Sequence, residues 1–294
     1  MRTLLAGLFL LGGLIPALAA DDDYRAEIEA WRAHRLERLT APDGWLTLIG
    51  LHFLPAGEST LGRAADNAIV LAAGPDRIGA VTLDDKGRVW LRVNPGVDVR
   101  VDGRAVLSAE LTDDRAAAPT LVTSGTLSFY VVNRGGQPAL RVKDSAAPRR
   151  TEFAGIDHFP VDPAWRIVAR WEPFLRPREV PIMNTLGQES SALVLGRAVF
   201  ERDGRAFALL PIQESLGAPL FFIIADLTSG ESTYAAARFL YADPPEDGKV
   251  VLDFNRAINP PCAFTPFATC PLPPEENRLP IAVTAGEKDY AGEH

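Results

Sequence analysis

The rhythm of apolar and polar positions changes twice along the chain. Residues 4–18 form an almost unbroken apolar run, with Arg2 as the only charge before it and Asp21-Asp22-Asp23 behind it. Gly7, Gly12, Gly13 and Pro16 interrupt that run, and Ala17-Leu18-Ala19 supplies the small-x-small pattern read by a signal peptidase. A membrane anchor wants about 20 strongly apolar residues. The pattern therefore predicts a cleavable signal peptide over residues 1–20, cut after Ala19 or Ala20, and a periplasmic or secreted mature protein.

From Tyr24 to Leu39 the period becomes helical: Ile28, Trp31, Leu36 and Leu39 are apolar among seven Arg and Glu residues. This predicts one amphipathic helix packed across a sheet, its interleaved Arg and Glu forming a solvated face. Beyond Pro42-Asp43-Gly44 the period falls to two. Trp45–Leu48, Ala68–Leu71, Ile78–Leu83, Val89–Val93, Val97–Val101, Ala105–Leu107 and Thr126–Val132 all read as short strands between Gly, Pro, Asp or Asn. Asp102-Gly103 is a hairpin signal, because both residues reach positive φ at low cost. The polar, proline-broken stretch Asp144–Arg150 divides this region from a second β run. That run offers Arg166–Trp171, Glu179–Met183, Ala192–Glu201, Arg205–Pro211, Leu220–Asp226, Ala237–Leu240, Val250–Phe254 and Ile281–Thr284, with Asp203-Gly204 as a second hairpin turn. The expected organisation is mostly β: signal peptide 1–20, helix and linker 21–44, a β-sandwich over 45–145, and a barrel or sandwich over 146–294.

Composition sharpens this picture. Of 294 residues, 47 % are hydrophobic, and 24 Gly and 24 Pro stand against 2 Met, punctuation that suits short strands better than long helices. The formal net charge of -8, without any basic block, excludes nucleic acid and anionic membrane as expected partners. No stable membrane insertion is expected once the signal is cleaved. The oligomeric state leaves no mark in the sequence. The chain carries no nucleophile elbow, Walker loop, dinucleotide fingerprint or zinc helix, so no cofactor and no metal are expected.

Candidate chemistry gathers in three carboxy-terminal segments, Asp226–Arg238, Asp253–Cys262 and Cys270–Lys288. Asp226, Glu231, Tyr234, Arg238, Asp253, Asn255 and Asn259 together offer carboxylates, a phenol, a guanidinium and two amides. One reading makes them a pocket for a small polar or anionic ligand, covered by the proline-rich segment Pro260–Pro274. A second is a cofactor-free hydrolase or lyase, with Glu231 or Asp253 as base and Arg238 as electrophilic clamp, Tyr234 beside them. A third is a structural or adaptor protein, in which Asp226 and Asp253 cap turns and Arg238 pairs with Glu231 across strands. Asp253, Asn255 and Asn259 have oxygen ligands suited to a hard cation, at a spacing unlike the calcium loop. Glu287-Lys288 either places an activated amine beside the site or is a solvated strand end, and His158 is the histidine best placed to act as a base. Cys262 and Cys270 are open to three readings: a disulfide, two buried thiols, or a reactive thiolate.

Two resemblances follow from these motifs. Leu61-Gly62-Arg63, Asp66–Leu71 and Val101-Asp102-Gly103 resemble the forkhead-associated β-sandwich, whose phosphothreonine-reading arginine is matched by Arg63. Pro75-Asp76-Arg77-Ile78-Gly79 stands where that family carries its Ser and His, so the likeness implies the fold without the phosphate site. The carboxy-terminal segments, with Trp31-Arg32 and Pro42-Asp43-Gly44-Trp45-Leu46 upstream, resemble DUF1684, a bacterial and archaeal family of unknown function. Where that family is expected to read Ala-Tyr-Asn-Pro, this chain has Ala257-Ile258-Asn259-Pro260.

Overall fold

The computed structural model describes residues 15–213 and 217–292, with side chains from residue 21 onward. The expected signal peptide falls largely outside the described residues, as does His294. Helix α1 (Ile15–Leu39) extends beyond the segment predicted by periodicity and ends at the same residue. Its apolar stripe is not quite the expected one. Ile28 and Leu39 are buried, but Leu36 is 41 % exposed, while Arg35 turns inward to 8 % exposure.

The strand-rich region after α1 begins with a 3-10 turn over Trp45–Thr47, where a strand was expected. Among the described residues eleven strands follow: β1 (Leu48–Phe53), β2 (Gly57–Gly62), β3 (Ile69–Val70), β4 (Gly79–Leu83), β5 (Val89–Val93), β6 (Arg100–Val101), β7 (Arg104–Ala105), β8 (Ser108–Leu111), β9 (Val122–Ser124), β10 (Leu127–Arg134) and β11 (Gln137–Asp144). They form two sheets, ordered β1-β11-β10-β9-β6-β7 and β3-β2-β4-β5-β8. Leu61, Val81 and Leu91 from one sheet and Val122, Phe129 and Leu140 from the other share one buried core. β5 shows the half-buried alternation that its sequence predicts, with Val89, Leu91 and Val93 inward and Trp90 and Arg92 outward. Asp102 and Gly103 take φ of 47° and 77°, the paired positive values of a tight hairpin turn.

The second β unit holds β12 (Arg166–Met183), β13 (Glu189–Arg202), β14 (Arg205–Leu209), β15 (Leu220–Ile224), β16 (Arg238–Ala242) and β17 (Lys249–Asp253). β12 absorbs two of the expected strands, the pairing with β13 slipping between Pro173 and Arg178. The ladder order is β14-β13-β12-β17, with β15-β16 a separate pair. β16 lies beside β17, and the bridge Ile212↔Phe221 ties the end of β14 back to β15. The result is an open barrel around Ala198, Leu209, Phe222, Leu240, Leu252 and Phe254.

The expected strand Ile281–Thr284 does not form. Its backbone is claimed instead by two buried side chains: the Val283 amide donates to Asp226 Oδ1 at 3.1 Å, and the Val283 carbonyl accepts from Arg238 Nη2 at 2.9 Å. A charged pair thus stands where a neighbouring strand would have satisfied the same groups. α1 lies across the junction of the two β units. Leu39 packs with Leu46 of the sandwich side and Ala263 and Phe264 of the barrel side.

Candidate functional site

The residues singled out in the sequence do not meet in one pocket. Antiparallel pairing places Ile224 of β15 opposite Arg238 of β16, which brings Asp226, two residues farther on, beside the guanidinium. Arg238 Nη2 donates to Asp226 Oδ2 at 2.7 Å, with the two side chains 1 % and 0 % exposed. Arg238 also donates to the carbonyls of Ala285 and Val283, at 2.5 and 2.9 Å. Asp226 Oδ1 accepts from the Thr228 amide and hydroxyl at 2.9 and 2.6 Å, and Thr228 meets the Thr233 hydroxyl. These hydrogen bonds offset the desolvation of both charges, with Arg238 Nε alone of the guanidinium nitrogens left without a partner among the described residues.

Glu231 is exposed on the turn that follows and is not the partner of Arg238. The Tyr234 hydroxyl donates to the Cys262 carbonyl at 3.3 Å, and burial raises its pKa. Arg238 is sealed inside the barrel while Glu231 stands in solvent, so the structure does not bring these two together.

Asp253 and Asn255 form a second network. The Tyr24 hydroxyl of α1 donates to Asp253 Oδ1 at 2.7 Å, and Asn255 Nδ2 donates to the Tyr24 oxygen at 3.0 Å and to the Asp162 carbonyl at 2.9 Å. Burial, followed by the adjacent Asp253 carboxylate, pushes the Tyr24 phenol upward. Asn259 belongs to a third network. Its backbone amide donates to Glu287 Oε2 at 2.6 Å, and its Nδ2 donates to the Lys288 carbonyl at 2.7 Å. The imagined cation cage is therefore split between two places, and no group of three or more His, Cys, Asp or Glu suited to a metal occurs among the described residues.

The Glu287 side chain, like that of Asp226, is fully enclosed, at 0 % exposure. Gly286 sends it inward: at φ 82° a Cβ there would lie 2.5 Å from the Ala257 carbonyl oxygen. Arg35 Nε of α1 donates to Glu287 Oε1 at 3.1 Å, and Arg35 Nη2 to the Asn259 carbonyl at 3.2 Å. Burial is the main influence on Glu287 and raises its pKa against the pull of Arg35. His158 sits in a hollow of about 280 Å³ beside Arg32, and burial and then that guanidinium lower its pKa to about 4. A base so weak at neutral pH is poorly matched to proton abstraction. Cys262 and Cys270 are joined as a disulfide, with Cα atoms 6.1 Å apart.

One cleft lies along α1. Trp31, Arg35 and Arg38, at helical i, i+4 and i+7 spacing, present one face to the barrel. Between them and β16 and β17 runs a cleft with two connected chambers that share Arg35, Arg38, Tyr241 and Ile258. The larger, about 480 Å³, is lined by Arg166, Arg256, Glu27, Asp243 and Asp253. Arg256 is committed to Glu27 and Asp253, and Arg35 to Glu287. Arg166 approaches Asp253 only to 3.9 Å, and Arg38, exposed, has no ion-pair partner among the described residues. Of the candidate residues only Asp253 and Asn259 border this cleft. The spacing of Trp31, Arg35 and Arg38 was visible in the sequence, but interleaved glutamates made that face look merely solvated.

The family model described as "Protein of unknown function (DUF1684)" matches residues 151–288. An uncharacterized protein of Haloarcula marismortui, known from a solution NMR structure, is 32 % identical; the match covers 49 % of this chain and 81 % of that one, with a TM-score of 0.41. The chain belongs to the DUF1684 family. No curated protein matches it. The DUF1684 match stops short of Trp31-Arg32 and Pro42–Leu46, so it covers less of the chain than those upstream motifs imply. Within the DUF1684 segment lie Arg166, Tyr241, Asp253, Asn259 and Glu287, whereas Arg35, Arg38 and Trp45 come from outside it.

Proposed function

We propose that this chain is an exported protein that binds a small anionic ligand in the cleft between α1 and the open barrel. The observation that carries the reading is Arg38, an unpaired guanidinium on a concave surface of a chain whose net charge is -8. Arg166 of β12, whose nearest approach to Asp253 is 3.9 Å, gives a second cation in the larger chamber. A planar guanidinium matches carboxylate or phosphate oxygens two at a time, and pockets of several hundred cubic ångströms between packed units are common ligand sites. Export is supported by the amino-terminal pattern and by the Cys262–Cys270 disulfide, a bond that persists in oxidising compartments.

The sandwich serves as scaffold in this reading. Arg63, the residue that matches the phosphate-reading arginine of forkhead-associated domains, donates to Asp76 at 3.0 Å and is already neutralised. The Asp226–Arg238 pair supports the structural reading of the polar block, with Asp226 rather than Glu231 as partner. Titration calorimetry with inorganic phosphate and citrate tests the proposal. Binding is expected for the native chain and lost in Arg38→Ala with the fold retained by circular dichroism, because Arg38 has no ion-pair partner among the described residues. Absence of binding, or binding unaffected by Arg38→Ala, overturns it.

A further inference from the structure

The smaller chamber, about 410 Å³, differs in chemistry from its neighbour. Its lining includes no carboxylate, and its floor is apolar: Leu39, Phe239, Ile258 and Phe264 are 1 %, 7 %, 8 % and 0 % exposed. Two partly exposed aromatic rings border it, each with one face already engaged: Trp45, at 37 %, has the Arg141 guanidinium 5.5 Å over its ring, and Tyr241, at 53 %, stacks on Phe221 at 4.9 Å. They come from different parts of the fold, Trp45 from the turn that opens the sandwich and Tyr241 from β16. Arg38 stands where this chamber joins the charged one. Arg35, the other guanidinium of the lining, is tied to Glu287 and Asn259. A simple inorganic anion needs Arg38 but gains nothing from an apolar floor and exposed rings.

Resting on the anion-binding reading above, we infer that the ligand is a small aromatic acid, its ring against Trp45 and Tyr241 and its anionic group on Arg38. Ring faces in offset or edgewise contact bind a flat apolar group with defined geometry, and the guanidinium at the junction fixes which end points outward. Asn259 adds a second feature. It lines the chamber and is 0 % exposed, yet its Oδ1 has no hydrogen-bond partner among the described residues. A buried acceptor without a donor is costly, and a hydroxyl on the ring would supply the missing proton.

The test compares phenyl phosphate with inorganic phosphate by titration calorimetry on the native chain, Arg38→Ala, Tyr241→Ala and Trp45→Ala. Circular dichroism on each variant confirms that it is folded. Phenyl phosphate is expected to bind at least about tenfold more tightly than phosphate. Either ring substitution should remove most of that excess, read as the ratio of the two affinities on the same variant, and Arg38→Ala should weaken both probes. Equal affinity for the two probes, with both still dependent on Arg38, overturns the aromatic inference and leaves the anion reading standing. A preference for phenyl phosphate that survives both ring substitutions also overturns it. Failure of both probes to bind overturns both readings.

Discussion

Arg238 shows how a single residue type can mislead when its surroundings are unseen. Its guanidinium was a reasonable anion clamp by chemistry, but full burial with Asp226 makes it part of the barrel wall. Arg238→Ala leaves the Asp226 carboxylate buried and unpaired and strips Val283 and Ala285 of donors. A loss of about 3–5 kcal/mol is expected, read by chemical denaturation. A fully stable variant would show that the pair does not hold the wall. His158 offers a titration. Its pKa falls from 6.5 to about 4 on folding, so the native state holds it neutral while the unfolded chain takes up a proton. Its contribution to stability is complete above pH 6.5 and is lost as pH falls from 6.5 toward 4. Glu287 has the opposite sign, since its raised pKa favours the native state at low pH and less so as pH rises. The difference between native and His158→Gln denaturation curves isolates the histidine: the variant should lose less stability across that window, and parallel curves would contradict the shift. The residue types gathered in the carboxy-terminal block were legible; their partners were not, because hydrogen bonds such as Tyr24 to Asp253 join positions 229 apart.

At the scale of elements, local chemistry was easiest to read where turns demand it. Asp102-Gly103 and Asp203-Gly204 both adopt paired positive φ, and the strands on either side pair as the hairpin signal implies. β2 and β9 were missed because Gly57-Glu58-Ser59-Thr60 and Val122-Thr123-Ser124 are short or polar and gain strand structure only from their neighbours. Ile281–Thr284 failed in the other direction: an apolar run whose backbone groups were captured by side chains. Gly286 anchors the segment that follows it. A side chain there would meet the carbonyls of Phe254 and Ala257 at 2.8 and 2.5 Å and would hold an unfavourable φ. Gly286→Ala is expected to cost at least about 2 kcal/mol and to loosen Glu287 from Arg35. Hydrogen exchange of the Glu287 and Asn259 amides would report the loosening, and unchanged protection would count against the role given to Gly286.

For the molecule as a whole, the mostly β architecture and its two successive β units were legible from period and punctuation, whereas the cleft was not, because it is assembled from α1, the turn at Trp45 and strands more than 190 residues later. Binding carried by an exposed guanidinium is sensitive to screening. Phosphate affinity is expected to fall several-fold between low and about 0.5 M ionic strength, a change that calorimetry across a salt series would register. Affinity indifferent to salt would place the anion somewhere more enclosed than Arg38. The same arrangement has an optical consequence. The sequence contains 5 tryptophans, and two of them, Trp31 and Trp45, border the two chambers. Each half of the cleft therefore carries its own intrinsic fluorophore, so that replacing one indole with phenylalanine would let emission changes tell which chamber a ligand enters.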